Sequence, residues 1–290
     1  MRRLIPFIVF LVWTQLCTQA QSAFSVDEEH LSFYADVLVN ADGGANRDKA
    51  NEIFYRDLQE SLNKDGSFAY DYTELKWISF QYPDDRSFRL ITWQLKSDDN
   101  NFSYYGFYQD ADQVIELKST VDFSKSLSNQ NLNSDNWYGR LIYDLIPFED
   151  ERGAYYMLFG FSQLDQYNKT KVVEILRIED GQPTFGAPMF DDGTSDVAKL
   201  RLSFRYSADS MLNVDYNKGL NMLVYDHLIQ RMGRMPGQGP TYLPDGTYEA
   251  YKLELGEWVY VEQLYNEIIE KPDQGTKKET RDILGRVKGN

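Results

Sequence analysis

Residues Ser87–Asp110 read SFRLITWQLKSDDNNFSYYGFYQD. Two runs rich in β-branched and aromatic residues flank a polar knot at Ser97–Asn101, the pattern of a β-hairpin. The same grammar recurs from about Leu75 to Leu264: an aromatic run, an Asp/Asn/Gly turn, another aromatic run. Runs with period 2 predict strands at Leu75–Gln81, Phe88–Leu95, Phe102–Gln109, Val114–Lys118, Arg140–Ile146, Tyr155–Phe161, Lys171–Ile178, Thr184–Met189, Lys199–Tyr206, Met211–Tyr216, Leu220–His227, Tyr248–Leu255 and Glu257–Leu264. The links are short and carry Asp-Gly, Asn-Lys-Gly or Asp-Asp, which suit tight antiparallel turns.

Alternation sorts these strands by environment. Lys199, Arg201, Ser203 and Arg205 alternate with Leu200, Leu202, Phe204 and Tyr206, which predicts one wet face and one core face. Tyr155–Phe161 (YYMLFGF) is apolar on both faces and is expected to be central and covered twice. The fold expected is mainly β, an antiparallel meander forming two stacked sheets or a partly open barrel. A propeller-like arrangement is the alternative, although about a dozen strands fill only about three blades of the usual four or more.

Upstream the period is 3.6. Ser25-Val26-Asp27-Glu28 reads as a capping box, followed by Leu31, Tyr34, Ala35 and Leu38 on one helical face. A second helix from about Asn46 shows Ala50, Ile53, Phe54 and Leu58, and Asn63-Lys64-Asp65-Gly66 stops it. The organisation expected is a leader (1–20), a helical hairpin packed on the sheet (21–66), an antiparallel β domain (67–270) and a frayed basic tail (271–290). Two connections are long: Ser119–Asn136, Ser/Asn-rich and expected to be mobile, and Gln230–Gly246 (QRMGRMPGQGPTYLPDG), expected to be either functional or disordered.

Met1-Arg2-Arg3, the apolar run Leu4–Leu16 and Thr18-Gln19-Ala20 predict a secretory signal peptide cut after Ala20. The run is too short to span roughly 30 Å of hydrocarbon, so no stable membrane insertion is expected after cleavage. Lipidation at Cys17 is disfavoured by the bulky Leu16 before it. Cleavage removes the sole cysteine and takes the formal charge from −15 to −17 by losing Arg2 and Arg3. Disulfides and thiol chemistry are then excluded, and nucleic acid is a poor partner for so acidic a chain.

Motifs for chemistry are sparse. There is no G-x-S-x-G elbow, no P-loop and no G-x-G-x-x-G, and no cofactor is expected. His30 falls in the first helix and reads as a surface residue. His227, in Tyr225-Asp226-His227-Leu228, ends a strand beside the long loop. Neighbouring strand residues point to opposite faces, so Asp226 is not expected to orient His227. The candidate ligand site is the rim formed by Asp226, His227, Tyr242 and Asp245, with Trp137 as an aromatic contributor. Paired acids such as Asp84/Asp85, Asp98/Asp99, Glu149–Glu151 and Asp191/Asp192 sit where turns are predicted. Asp191, Asp192 and Asp196 make a candidate calcium loop.

Phe88–Gln94, Tyr104–Gln109, Tyr155–Gly160, Gly181–Pro188 (GQPTFGAP), Val224–Leu228 (VYDHL), Tyr242–Tyr248 (YLPDGTY) and Gly256–Val261 (GEWVYV) together resemble a group of signal-peptide-bearing, β-rich exported proteins of Bacteroidota. The resemblance implies a periplasmic or secreted bacterial protein and carries no catalytic residue with it. Ser210, in Asp209-Ser210-Met211, fits the short O-glycosylation acceptor pattern of that group. The expected function is a binding or envelope-associated protein with glycan or envelope components as partners, leaning away from an enzyme. The alternatives are a carbohydrate-active hydrolase using loop Asp/Glu residues, or a structural interaction subunit.

Overall fold

A computed structural model describes residues 24–120, 129–262 and 264. The expected leader, the basic tail and part of the Ser119–Asn136 connection lie outside the described residues. Two helices come first, α1 (residues 24–40) and α2 (Gly44–Leu62). Leu31, Ala35 and Leu38 of α1, and Ala50, Phe54 and Leu58 of α2, are buried on the face that helical spacing predicts. Glu28 does not close a capping box. Its carboxylate accepts the Glu74 N–H at 2.6 Å and the Tyr70 hydroxyl at 2.5 Å, tying α1 to the segment after α2.

Sheet 1 holds β1 (Ser79–Gln81), β2 (Phe88–Lys96), β3 (Phe102–Asp110) and β4 (Val114–Leu117) in chain order. Sheet 2 takes β5 (Leu132–Asn133), β6 (Leu141–Asp150), β7 (Gly153–Gln163), β8 (Asn168–Glu179) and β9 (Gln182–Phe185) in the order β5-β9-β8-β7-β6. β10 (Phe190–Asp191) then crosses to sheet 3, and β11 (Arg201–Ser207) returns to pair with β8. β12 (Val214–Asn217), β13 (Met222–Met232), β14 (Pro240–Glu254) and β15 (Glu257–Val261) complete sheet 3 as β10-β15-β14-β13-β12. Among these described strands all pairings are antiparallel except β10 on β15. Among the described residues no sheet closes into a barrel.

The layers follow from alternation, which sends neighbouring side chains to opposite faces. On β2 and β3, Ile91, Trp93 and Phe107 pack against the helices, while Phe88, Leu90, Tyr104 and Tyr108 pack against sheet 2. On β7 and β8, Tyr156, Leu158, Val172 and Leu176 meet sheet 1, while Tyr155, Met157, Phe159, Val173 and Ile175 meet Leu223, Tyr225, Tyr251 and Trp258 of sheet 3. The order is therefore helices, sheet 1, sheet 2, sheet 3. The double covering expected of Tyr155–Phe161 is present. The expected pair of sheets becomes three because β2 and β3 are also apolar on both faces.

Two expectations change. The Leu75–Gln81 strand shrinks to β1, with Leu75 and Ile78 buried in a turn against the helices. The Gln230–Gly246 loop is mostly strand: β13 runs to Met232 and β14 starts at Pro240, leaving only 233–239 between them. Pro240 and Pro244 are tolerated because this half of β14 pairs with β13 alone and is an edge.

Between sheets 1 and 2 lies a buried ionic triad. Glu174 of β8 is fully buried and pairs with Arg140 through one oxygen and with Arg201 Nε at 2.9 Å through the other. Arg140 packs on the Tyr138 ring at 5.2 Å, and its Nε and Nη1 have no hydrogen-bond partner among the described residues. Burial lowers the Arg140 pKa against the pull of Glu174. Two glycines make room: a Cβ on Gly160 would lie 2.0 Å from Arg140 Cδ, and one on Gly186 would lie 2.6 Å from Arg201 Nη2.

Candidate functional site

Where sheet 2 passes into sheet 3, a cleft of about 560 Å³ opens between β11, the 192–199 connection and the faces of β13, β14 and β15. Its size falls within the range of small-molecule sites. His227 is among the residues that line it. Residues Asp226 and Leu228 pair with Tyr248 and Pro244, so β14 carries two more residues than β13 across this step. The extra length is a bulge at Asp245-Gly246-Thr247, with Gly246 at φ +92°. Asp245 Oδ1 caps the bulge by accepting the Thr247 N–H at 3.0 Å and its hydroxyl at 2.8 Å. Its other oxygen, Oδ2, is 2.9 Å from His227 Nδ1.

This arrangement sets the His227 tautomer. The Thr247 N–H, followed by the Thr247 hydroxyl and His227, outweighs burial and holds the Asp245 carboxyl down to about 2. Asp245 is thus an ionised acceptor, and His227 Nδ1 must carry the hydrogen. Nε2 then faces the cleft, 3.9 Å from Glu249 Oε1, too far for a hydrogen bond. Glu249 accepts the Tyr260 hydroxyl at 2.5 Å and also bonds the Tyr225 hydroxyl. Burial and then Glu249 raise the pKa of both tyrosines, which stay protonated donors.

The opposite wall is ionic. Burial pushes the Asp192 carboxyl up, but Lys199 and the Thr194 hydroxyl and N–H outweigh it and hold it at about 2. A group depressed in the folded state from 3.8 to about 2 stabilises above about pH 4, and that contribution fades as pH falls toward 2. The stability gap between wild type and Asp192→Asn is expected on the order of 1 kcal/mol near neutral pH, narrowing between about pH 4 and 2. Urea titrations across that window check it, and a gap independent of pH would refute the ion pair's contribution.

The rim expected from sequence is only partly assembled. His227 and Asp245 meet. Asp226 points away, as expected, and its carboxylate accepts the Asn213 N–H at 2.7 Å and side-chain amide at 3.1 Å. Trp137 is fully buried between sheets 1 and 2 and offers no face to a ligand, because its ring fills that core. Tyr242 is exposed on the β14 edge and does not line the cleft. Asp191 and Asp192 cap the turn at Gly193 and Thr194, and with Asp196 they form no metal-binding group among the described residues. Ser210 bonds the Ser207 carbonyl. Sequence reading passed over Glu249, Tyr225 and Tyr260. The available signal was that Glu249, unlike the paired acids, stands inside a predicted strand.

A second pair of hollows beside α2 shares Tyr55, Tyr105 and Glu116. There the tyrosine hydroxyls are taken by Glu116 and Asn51, and Trp93 Nε1 donates to the same Asn51 at 2.8 Å. That network holds the helix to sheet 1. No helix among the described residues is long and apolar enough to cross a membrane. No known protein family, curated protein or solved structure matches the chain.

Proposed function

We propose that this chain is an exported binding protein whose cleft takes a small hydroxyl-rich ligand of the glycan class. One observation carries the reading: a cleft of ligand size joins fixed polar groups, His227 Nε2 and Glu249, to the rings of Tyr225, Tyr251 and Tyr260. Sugar rings stack on aromatic faces while their hydroxyls seek such donors and acceptors. A glycosidase needs a carboxyl that keeps its proton near neutral pH opposite a second carboxylate. Asp192, held at about 2 by Lys199, does not supply it, which favours binding over hydrolysis.

The test is a glycan array followed by calorimetry on the full chain. A hit is expected to weaken about tenfold or more in Glu249→Gln, which keeps an acceptor but loses the charge, and in His227→Ala, which removes a hydrogen-bonding group, since a hydrogen bond to a charged group is worth roughly 1.5–3 kcal/mol. Failure of every glycan to bind at millimolar concentration would sink the reading. Release of shortened sugars during the titration would replace it with the hydrolase alternative.

A further inference from the structure

Strand register gathers one face of sheet 3 along the cleft. On β13, Tyr225 and His227 are two residues apart and both line it. Tyr225 stands opposite Glu249 of β14, and Tyr251, two residues on, stands opposite Tyr260 of β15. The Tyr251 ring lies 6.1 Å from Tyr225 and 5.6 Å from Tyr260, centroid to centroid. These three rings share the wall with two polar atoms, His227 Nε2 and Glu249 Oε1, 3.9 Å apart. Both atoms accept hydrogens. In the neutral ring Nε2 keeps a lone pair, because Nδ1 carries the hydrogen that Asp245 receives. Glu249 is already the acceptor for the Tyr225 and Tyr260 hydroxyls. His227 therefore stands between two carboxylates, Asp245 and Glu249, neither of which pairs with a lysine or arginine among the described residues. The cations of the opposite wall are engaged elsewhere, Lys199 by Asp192 and Arg201 by Glu174.

We propose that the gap between His227 Nε2 and Glu249 Oε1 binds a primary ammonium group, so that the glycan taken by the cleft is an amino sugar with its nitrogen free. A ligand hydroxyl has one hydrogen and can satisfy only one of the two acceptors. An N-acetyl group likewise offers one N–H, and it carries no charge. A primary ammonium has three hydrogens and a full positive charge. Seated about 2.9 Å from each acceptor, it bridges both at once, and its bond to Glu249 is charge-assisted on both sides. The adjoining tyrosine faces add attraction for a cation. That the ammonium sits on a sugar rests on the binding reading above; the ammonium subsite itself does not.

Calorimetric titration of the full chain near neutral pH compares three probes: a glucosamine tetrasaccharide, the same tetrasaccharide fully N-acetylated, and spermidine. The free amine is expected to bind about tenfold or more tightly than its acetylated form. Glu249→Gln keeps an acceptor but loses the charge, and is expected to erase that preference; His227→Ala removes the second acceptor and should reduce it severalfold. The preference is the readout because lost stacking or lost structure would weaken both sugars together. Equal or tighter binding of the acetylated sugar to wild type would overturn the ammonium subsite and leave the glycan reading standing. A preference that persists in both variants would overturn it too, since the attraction would then belong to the overall formal charge of −15. Spermidine binding as tightly as the glucosamine probe would support the subsite and overturn the glycan reading. Binding of none of the three at millimolar concentration would overturn both. If Glu249→Gln does not fold, wild type and His227→Ala decide.

Discussion

Replacing Glu174 with alanine is expected to lower the unfolding free energy by roughly 3–5 kcal/mol, the largest loss expected from any single carboxylate among the described residues. Glu174 pairs with two buried guanidinium groups from different parts of the chain, Arg140 and Arg201. Without it, two like charges face each other in a buried layer, and Arg140 keeps no hydrogen-bond partner for its guanidinium among the described residues. Glu174→Gln keeps an acceptor but not the charge, and is expected to recover only a minor part of the loss. Urea unfolding followed by tryptophan fluorescence reads both variants. An alanine variant within about 1 kcal/mol of wild type would show that water or relaxation replaces the carboxylate.

Gly160→Ala should cost about 2–3 kcal/mol, although adding a methyl to a strand glycine ordinarily helps by reducing unfolded-state freedom. The sign is decided by Arg140, whose Cδ and Cγ lie 2.0 and 2.8 Å from the position of the new Cβ. That side chain is held by Glu174 and the Tyr138 ring and cannot step aside cheaply. A double-mutant cycle isolates the cause. In an Arg140→Ala background the same Gly160→Ala change is expected to be nearly neutral, giving a coupling of about 2 kcal/mol. Equal losses in both backgrounds would place the problem in the β7 backbone instead.

Much of this protein is legible in one dimension, for a physical reason. Strand and helix periods are local properties, so Ser87–Asp110 and Tyr155–Phe161 announce both their conformation and the number of faces they bury. Turn chemistry is local too: Asp150, Asp165 and Asp191 accept main-chain N–H groups two residues on. The same rule misled at Asp245-Gly246. The residues do make a tight bend, but inside a strand, where it becomes a bulge that aims a carboxylate at His227.

The residues alone determined that the chain is antiparallel β behind a helical hairpin, that β7 is covered on both sides, and that Asp226 and His227 face apart. They did so because side-chain direction follows from spacing. Only the tertiary structure decided that three sheets stack, that Glu174 gathers Arg140 and Arg201, and that Asp245 and Glu249 flank His227. Those meetings join residues 18 to 34 positions apart in the chain, set by strand register and by one bulge, and neither register nor bulge is written in any local run of residues.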